Sequence, residues 1–585
     1  MKKIKGKPVS SGIVSGRALL FNSQKEIILR EKIGAAETGR EIKRLNGAIG
    51  KTRTQLKRIY DNLQRVMGKD SALIIETQYL LLKEGNLIKD IKNTIIHNQV
   101  KVEWAIKKVE KKYVDFFNNI ADLSFREKRN DISDLLQRLL NNLRDAKKDI
   151  TANIENVILV ADDIAPSVAA HVMSKGKLLG LVLNGGGETS HSVILARTLG
   201  IPTILNTGHA TEWINNDDSL IVDGLTGEVF INPTPQIVTE YASKKEKYQL
   251  YQERLKDVLS QDDATRDQRP FHLRANIELP FESDLVTSYG AQGVGLYRTE
   301  FLFTDPGVAS SVEKQYLIYK SIAQKVFPHP LVIRTFDIGR EKTTDHFEQV
   351  KERNPALGTM AVRLFLKETE LFKTQINAIL RANESGNIRI LFPMITEMEE
   401  IYTIRDIIEE ARLKLIAAGQ YPGKAVEIGV MIEIPGAVGI MRFLQEEVDF
   451  FSIGTNDLIQ YLLAADRNNS AVSYLFSPFH PAVIRILVEI KKEADRIGKS
   501  VTVCGEMASN VFSALMLLGM GYRDFSMNPI SIPEIKRIFT QVHYSTIRRL
   551  VRQVTHLRSR TEVEEYLIEN LLRKYPDLFI KQAVF

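Results

Sequence analysis

In the second half of this chain, polar and reactive side chains recur at the ends of apolar runs, where a plain hydrophobic core would have no use for them. Arg298 and Glu300 follow GVGLY, Arg334 and Asp337 stand in LVIRTFDI, and Glu433 closes GVMIE. Asn456 and Asp457 follow FFSIGT, and Cys504 follows SVTV. Arginine's planar fork matches phosphate and carboxylate oxygens two at a time. Arginines beside two carboxylates and an asparagine therefore suit a small substrate carrying both phosphate and carboxylate. Glu433 and Asp457 are the pair that could hold Mg²⁺, which keeps several waters and takes one or two carboxylates plus substrate oxygens. Such a metal and the arginines would together stabilise charge on a transferring phosphoryl group. A lone cysteine is ordinarily a small apolar core residue. At the mouth of a site, a thiol that hands a proton to substrate carbon is the second reading of Cys504.

A separate signal lies upstream in GGGETSHSVILARTLGIP, where a glycine-rich turn presents His191 just before an apolar helix. Thr189 and Ser190 place hydroxyls beside it, able to orient the imidazole or a phosphate attached to it. The N–H groups opening that helix favour negative charge nearby. Most single histidines do no chemistry, and periodicity does not decide the matter. The other histidines form no close pair at metal-ligand spacing, so neither zinc nor a redox metal is indicated. No GKS or GKT follows the glycines, so the turn is not a P-loop.

The elements that must carry these residues can be read from the pattern. From about residue 265, FHLRANI, GVGLYRTE, PLVIRTFDI, IRILFPMI, VEIGVMIEI, DFFSIGTND, KSVTVCGEM and YRDFSMNP are strand candidates, each followed by a helical pattern. Eight such units in some 300 residues suggest a (β/α)₈ TIM barrel, whose chemistry sits where strands run into the following loops. The polar residues above fall at those ends. Residues 1–24 and 149–232 read as an α/β domain of short strands, with NVILVADDI, LLGLVLNGG, IPTIL and SLIVDGLTGEVFINP as strands and PSVAAHVMSKG and SHSVILARTLG as helices. Residues 25–148, free of proline and poor in glycine, read as a helical insertion. A charged helix in 233–262 links to the barrel, residues 263–585.

The chain has 585 residues, a formal charge of +7 and a single cysteine, with 44% hydrophobic and 26% charged residues. That length allows several domains of about 100–200 residues. The composition is that of soluble globular proteins and excludes collagen-like, low-complexity and wholly disordered chains. One cysteine makes no internal disulfide, which favours a reducing compartment. The opening MKKIKGKPVSSGIVSGRALLF lacks an apolar signal core, and no run of about 18 apolar residues suggests a membrane span. A cytoplasmic protein is expected. Residues 26–150 hold 26 Lys+Arg against 18 Asp+Glu, a net of +8, so the remainder is 53 against 54. The excess on the helical insertion reads as a solvated outer face or as a docking surface for an acidic partner. Nucleic acid is the weakest reading, since no aromatic interleaving or reader motif accompanies the charge.

Taken together, these motifs resemble the phosphoenolpyruvate–protein phosphotransferases, enzyme I of the bacterial sugar phosphotransferase system. The likeness covers essentially the whole chain in the family's order. The family's GGxTSHxxIxAR appears as GGETSHSVILAR, followed by GVGLYRTEFLF, RTFDIG, NPALG, GVMIEIPGAVGIM, FFSIGTNDLIQYLLAADR, CGEMAS and FSMNPISIP. The resemblance implies a multidomain α/β protein: a swivelling phosphohistidine domain with an inserted helical bundle, then the barrel. It implies a relay in which phosphoenolpyruvate, bound with Mg²⁺, phosphorylates His191, which then passes the group to a small histidine phosphocarrier protein (HPr-like). By motif, Arg298, Arg334, Lys342, Asn456, Asp457 and Arg467 bind the substrate and Glu433 with Asp457 holds Mg²⁺. Cys504 protonates the enolpyruvate carbon to give pyruvate. A homodimer through the barrel and a moving linker helix are implied as well.

Two departures stand out. The family's NPxLGxRAxR reads NPALGTMAVR here, so Met360 replaces a basic residue while Arg363 remains. Loss of one charge-assisted contact costs about 1.5–3 kcal/mol, which weakens substrate binding unless Lys342 or Arg340, in IGREK, compensates. Where relatives carry an acidic HLMLLEDE-like stretch, this chain reads QYLLLKEG within its net basic insertion. The carrier is therefore expected to offer an acidic face. Met360 also supports an alternative: a weakly active regulatory paralogue that senses phosphoenolpyruvate and signals through the basic helices. Pyruvate phosphate dikinase and phosphoenolpyruvate synthase share the histidine and barrel modules, but they need a nucleotide-binding domain that finds no segment here. The absence of a sensory segment before the histidine domain leans toward sugar transport rather than a nitrogen-linked role.

Overall fold

The computed structural model describes residues 1–21, 31–34, 37–67, 82, 86–118, 123–143, 156–164, 168–169, 172–173, 178–187, 191–300, 302, 306–339, 354–467, 469 and 471–579. The chain divides into two compact units, residues 1–252 and 253–584.

The first unit is built on a mixed sheet. Its strands are β1 (Lys2–Lys5), β2 (Lys7–Ser10), β3 (Ile13–Phe21), β4 (Val157–Ala161), β5 (Leu178–Leu183), β6 (Thr203–Leu205), β7 (Ser219–Asp223) and β8 (Glu228–Ile231), in the order β1-β8-β7-β3-β4-β5-β6-β2. β3, β4, β5 and β6 run parallel. VILVA and LLGLVL are almost continuously apolar because central parallel strands are covered on both faces. β7 and β8 form an antiparallel hairpin whose turn is fixed by Asp223, which accepts from the amides of Leu225 and Thr226.

Between β3 and β4 the chain forms helices Thr38–Met67, Asn86–Asn98, Val102–Asn118 and Leu123–Leu143. Leu45, Leu56, Ile91, Ile106, Leu135 and Leu139 are fully buried in a cluster that also takes in Leu181 and Leu183 of the sheet. Glu41 ties two of the helices: its carboxylate accepts from the Val102 amide at 3.0 Å and from Arg44, whose other arm reaches Glu103. A carboxylate at that helix N-terminus satisfies a free N–H and complements the helix dipole. The last helix begins at Leu123, eight residues before the apolar pattern DISDLLQRLL. The helix expected over PSVAAHVMSKG is described only at Val168–Ala169 and Val172–Met173. The QYLLLKEG stretch lies outside the described residues except for Leu82. Helix Pro235–Val258 follows β8.

The second unit is a closed barrel of eight parallel strands: β9 (His272–Ile277), β10 (Val294–Tyr297), β11 (Leu331–Arg334), β12 (Ile388–Phe392), β13 (Glu427–Ile432), β14 (Phe450–Ile453), β15 (Ser500–Val503) and β16 (Asp524–Met527). β16 pairs back onto β9 with Asp524 opposite His272. Each expected strand is present; β10, β13, β14 and β15 stop before their polar residues, and β11 ends on Arg334. Leu296, Val332, Leu391, Met431, Phe450 and Cys504 fill the interior. The barrel is thus a packed core that leaves only its strand ends free for chemistry. Amphipathic helices such as Val312–Val326, Thr369–Ala382 and Pro481–Ile497 close the outside. Among the described residues, no helix is long and apolar enough to cross a membrane.

Candidate active site

At the C-terminal ends of the barrel strands the polar residues converge. Arg334, the last residue of β11, is almost wholly buried, with one guanidinium nitrogen 2.9 Å from Glu300 Oε1 and another 2.8 Å from Asp337 Oδ2. The Asp337 amide also donates to Glu300 Oε1 at 3.0 Å, so a single carboxylate fixes both the arginine and the turn that follows it. Burial alone would lower the Arg334 pKa, but the charges of Glu300, Asp337, Glu433 and Asp457 hold it above the ordinary arginine range. Arg298 leaves β10 half-exposed and pairs with Glu278 at the end of β9.

Glu433 follows β13 and is 1% exposed. Its Oε1 accepts the Met394 amide at 2.7 Å, whereas Oε2 is buried with no partner, as is Asp337 Oδ1. Burial first, then the charges of Asp337 and Asp457, push the Glu433 pKa well above the carboxylate range, against Arg334 and the Met394 amide. Asp457 is raised too, by burial first, with Arg467 as the strongest opposing influence and Asp337 adding repulsion. Gly454 permits this packing, since a Cβ there would stand 2.6 Å from Glu433 Oε2.

A site that crowds carboxylates and leaves two of their oxygens unpartnered favours a cation. Those oxygens are hard donors of the kind Mg²⁺ takes. Among the described residues no three of His, Cys, Asp and Glu stand together as a complete ligand set. A cation here would therefore complete its shell with water and substrate oxygens, the usual habit of Mg²⁺.

Asn456 and Asp457 lie in the first turn of the helix Thr455–Leu463 that follows β14. Asn456 and Glu506 bind reciprocally, amide to carboxylate at 3.1 Å and Glu506 N–H to Asn456 Oδ1 at 3.0 Å. Arg467 is exposed, and its backbone N–H donates to Gln460 Oε1 at 3.3 Å. Cys504 follows β15, is 2% exposed, and donates its thiol proton toward the Ile453 carbonyl at 3.3 Å. Ser452 donates to the sulfur at 3.2 Å, and burial pushes the thiol up to about 11. Met360 sits half-buried, bridged to Gly339, with the Tyr461 hydroxyl 3.9 Å from its sulfur. Tyr461 donates to the Ala356 carbonyl at 2.6 Å.

In the first unit, His191 is the first residue of helix His191–Thr198. The glycine turn before it starts at Asn184, a junction of several bonds. Its amide nitrogen donates to Asp162 at 2.7 Å and Thr211 at 2.6 Å, and its oxygen accepts the Ala210 amide at 2.7 Å. Gly186 takes φ +109°, a conformation open to glycine. Ser192 donates to the Ile164 carbonyl at 2.9 Å, tying the helix start to the loop after β4. Thr189, Ser190, Arg340 and Lys342 lie outside the described residues.

The barrel brings Arg298, Arg334, Glu433, Asn456, Asp457 and Cys504 to one end. Sequence reasoning did not single out Glu278, Ser452 or Glu506 as participants. Glu278 obeys the same strand-end rule as the others, in ANIELP. Ser452 is a lone hydroxyl inside the apolar run FFSIG, and Glu506 follows Cys504 by two residues.

Comparison with known proteins matches three parts of the chain to family models. Residues 252–544 match the PEP-utilising enzyme PEP-binding domain, residues 5–128 the N-terminal part and residues 153–227 the mobile domain. The chain is similar to the phosphoenolpyruvate-protein phosphotransferase of Staphylococcus carnosus, with 33% identity across 97% of this chain and 99% of that protein. The enzymes of that name from Priestia megaterium and Bacillus subtilis are 36% and 34% identical, each over 97% of this chain and over 98% and 100% of their own lengths.

Proposed function

Because this chain belongs to the phosphoenolpyruvate-protein phosphotransferase family, and so to enzymes of phosphoenolpyruvate-dependent phosphotransfer, we propose that it phosphorylates its own His191 and passes the group to a small histidine phosphocarrier protein (HPr-like), releasing pyruvate. In this reading phosphoenolpyruvate binds the end of the barrel. Arg298 and Arg334, with Asn456, Asp457, Arg467 and Lys342, hold its phosphate and carboxylate. Glu433 and Asp457 hold Mg²⁺, which when bound neutralises phosphoryl charge and screens the crowded carboxylates. A nitrogen of His191 forms a bond to phosphorus as the bond to the enol oxygen breaks. The electron pair left on the enol then takes a proton at the terminal carbon, and the Cys504 S–H bond breaks to supply it. Thr189 and Ser190 orient the phosphohistidine.

The observation that best supports this is the pairing of opposite demands at one barrel end. Arg334 is a buried cation paired with Glu300 and Asp337, while Cys504 is kept neutral by burial. A phosphate-binding cation and a protonated acid are the two groups that splitting phosphoenolpyruvate to pyruvate requires. Catalytic turnover also requires His191 to visit two partners in succession, and the helix Pro235–Val258 is the pivot we assign to that motion, in a cytoplasmic homodimer joined through the barrel. We assign the roles to the limits read from sequence: 1–24 with 149–232 for the histidine, 25–148 for carrier docking, 233–262 for the link and 263–585 for phosphoenolpyruvate. A steady-state assay of pyruvate formation tests the reading: turnover should require both Mg²⁺ and a histidine phosphocarrier. Sustained pyruvate release without any carrier would overturn it.

A further inference from the structure

Gln375 is fully buried on the helix Thr369–Ala382, outside the barrel wall, and its amide engages three partners. Its oxygen accepts the Phe336 backbone N–H at 3.2 Å. Its nitrogen donates to Thr299 Oγ1 and to the Tyr319 hydroxyl, both at 3.1 Å. Thr299 then donates to the Arg334 carbonyl at 2.8 Å. Tyr319 donates to Gln315 Oε1 at 2.9 Å, and Gln315 donates to the Ala309 carbonyl at 2.7 Å. Thr299, Gln315, Tyr319 and Gln375 all have no exposed surface. Each hydroxyl in the chain accepts one bond and donates one, so the direction of every proton is set.

The place where this chain meets the barrel is informative. Thr299 stands between Arg298 and Glu300, and Phe336 stands between Arg334 and Asp337. β10 and β11 pair at Val294–Leu331 and Tyr297–Ile333, with an irregularity between. The Tyr297–Ile333 pairing sets the two arginine-bearing ends side by side on the backbone. The Gln375 amide adds a buried side-chain tie just beyond that pairing, gripping Thr299 after Arg298 and the Phe336 N–H after Arg334.

We propose that Gln375 is a positioning residue for phosphoryl transfer, locking the ends of β10 and β11 so that Arg298 and Arg334 stand at the separation one phosphoenolpyruvate requires. This rests on the reading of the barrel end as the phosphoenolpyruvate site. A misplacement of about 1 Å in such a site can cost about a hundredfold, so a distant amide can matter to binding.

The test is carried out on the full-length enzyme with its carrier. Gln375→Met keeps the volume and removes the polar grip, and should raise the KM for phosphoenolpyruvate about tenfold or more. Thr299→Val should do the same, and Thr299→Ser, which keeps the hydroxyl, should hold KM near the native value. Tyr319→Phe is the structural control: it removes a hydroxyl from the same chain but leaves the joint between Thr299 and Phe336, so it should lower the melting temperature without moving KM. Native KM in both Gln375→Met and Thr299→Val would overturn the proposal, as would an equal rise in Tyr319→Phe. If Gln375→Met does not fold, the contrast between Thr299→Val and Thr299→Ser decides alone. Arg334→Ala separates the two levels. An unchanged KM there sinks the site reading and this proposal together, whereas a raised KM with native Gln375→Met sinks the proposal only.

Discussion

The Ser452 hydroxyl lies 3.2 Å from the Cys504 sulfur, donating to it, while the thiol proton points to the Ile453 carbonyl 3.3 Å away. Both residues are buried, Ser452 on β14 and Cys504 directly after the neighbouring strand β15. The sulfur is thus held neutral by burial and is offered one donor that would steady a thiolate once the proton has left.

That arrangement predicts how the thiol titrates. With its pKa raised to about 11, Cys504 stays protonated at neutral pH, and its alkylation rate should climb steadily through pH 9 and level off only near 11. Because the neutral form is favoured in the folded state, the associated stability is present below the free-thiol pKa and is lost as pH rises through about 11. Ser452→Ala removes the one hydrogen bond that opposes the shift, so alkylation at pH 9 should slow. A thiol that titrates like a free cysteine would contradict this.

Cys504→Ala should separate binding from chemistry. Loss of a general acid typically costs about 10²–10⁴-fold in rate, so pyruvate release should fall by that order with little change in KM for phosphoenolpyruvate. Steady-state kinetics across substrate concentration decide the point.

Glu433→Gln should do opposite things to stability and activity. The native carboxylate is buried beside Asp337 and Asp457, so a neutral isostere relieves repulsion and should raise the melting temperature without metal. It should also abolish the Mg²⁺-dependent rise in melting temperature and most of the activity. Melting curves with and without Mg²⁺ and chelator check both halves.

Met360→Arg restores the charge that the family pattern carries. One charge-assisted contact is worth about 1.5–3 kcal/mol, so the KM for phosphoenolpyruvate should fall at least about tenfold if the lost contact is what weakens the site. The new side chain must also displace the Tyr461 contact at 3.9 Å. Unchanged kinetics would show that the site does not need the charge.

The basic insertion predicts a salt-sensitive partner. Lys43, Lys57 and Arg58 of helix Thr38–Met67 and Lys108, Lys111 and Lys112 of Val102–Asn118 are exposed. Charge reversal at Lys57 and Arg58 should raise the KM for an acidic-faced carrier, and added salt should do likewise. Normal affinity for a basic-faced carrier would contradict the docking model.

Much of the barrel is legible in the sequence, because most of its strands are short apolar runs that end at or just before a polar residue. The strand-end rule therefore finds Arg298, Arg334, Glu433, Asp457 and Cys504 without knowing which strands are neighbours. What it cannot supply is pairing across the barrel. Glu278 matters because β9 lies beside β10, and Ser452 because β14 lies beside β15; both relationships span tens of residues of chain or require the closed topology. Gln375 is hidden for a different reason. It sits on an outer helix, where a buried glutamine breaks the apolar stripe yet carries no motif. Helix Leu123–Leu143 begins ahead of its apolar pattern, because LSFREKRN has helical propensity but no apolar period.

The central claim is that phosphoenolpyruvate phosphorylates His191. Incubating the full-length protein with Mg²⁺ and phosphoenolpyruvate labelled in its phosphate, beside His191→Ala, tests it most directly. Acid-labile, base-stable label on the native protein, pyruvate released in step with it, and no label on the variant are expected. Label that persists in His191→Ala, or a native protein that takes up none at saturating substrate, would contradict it.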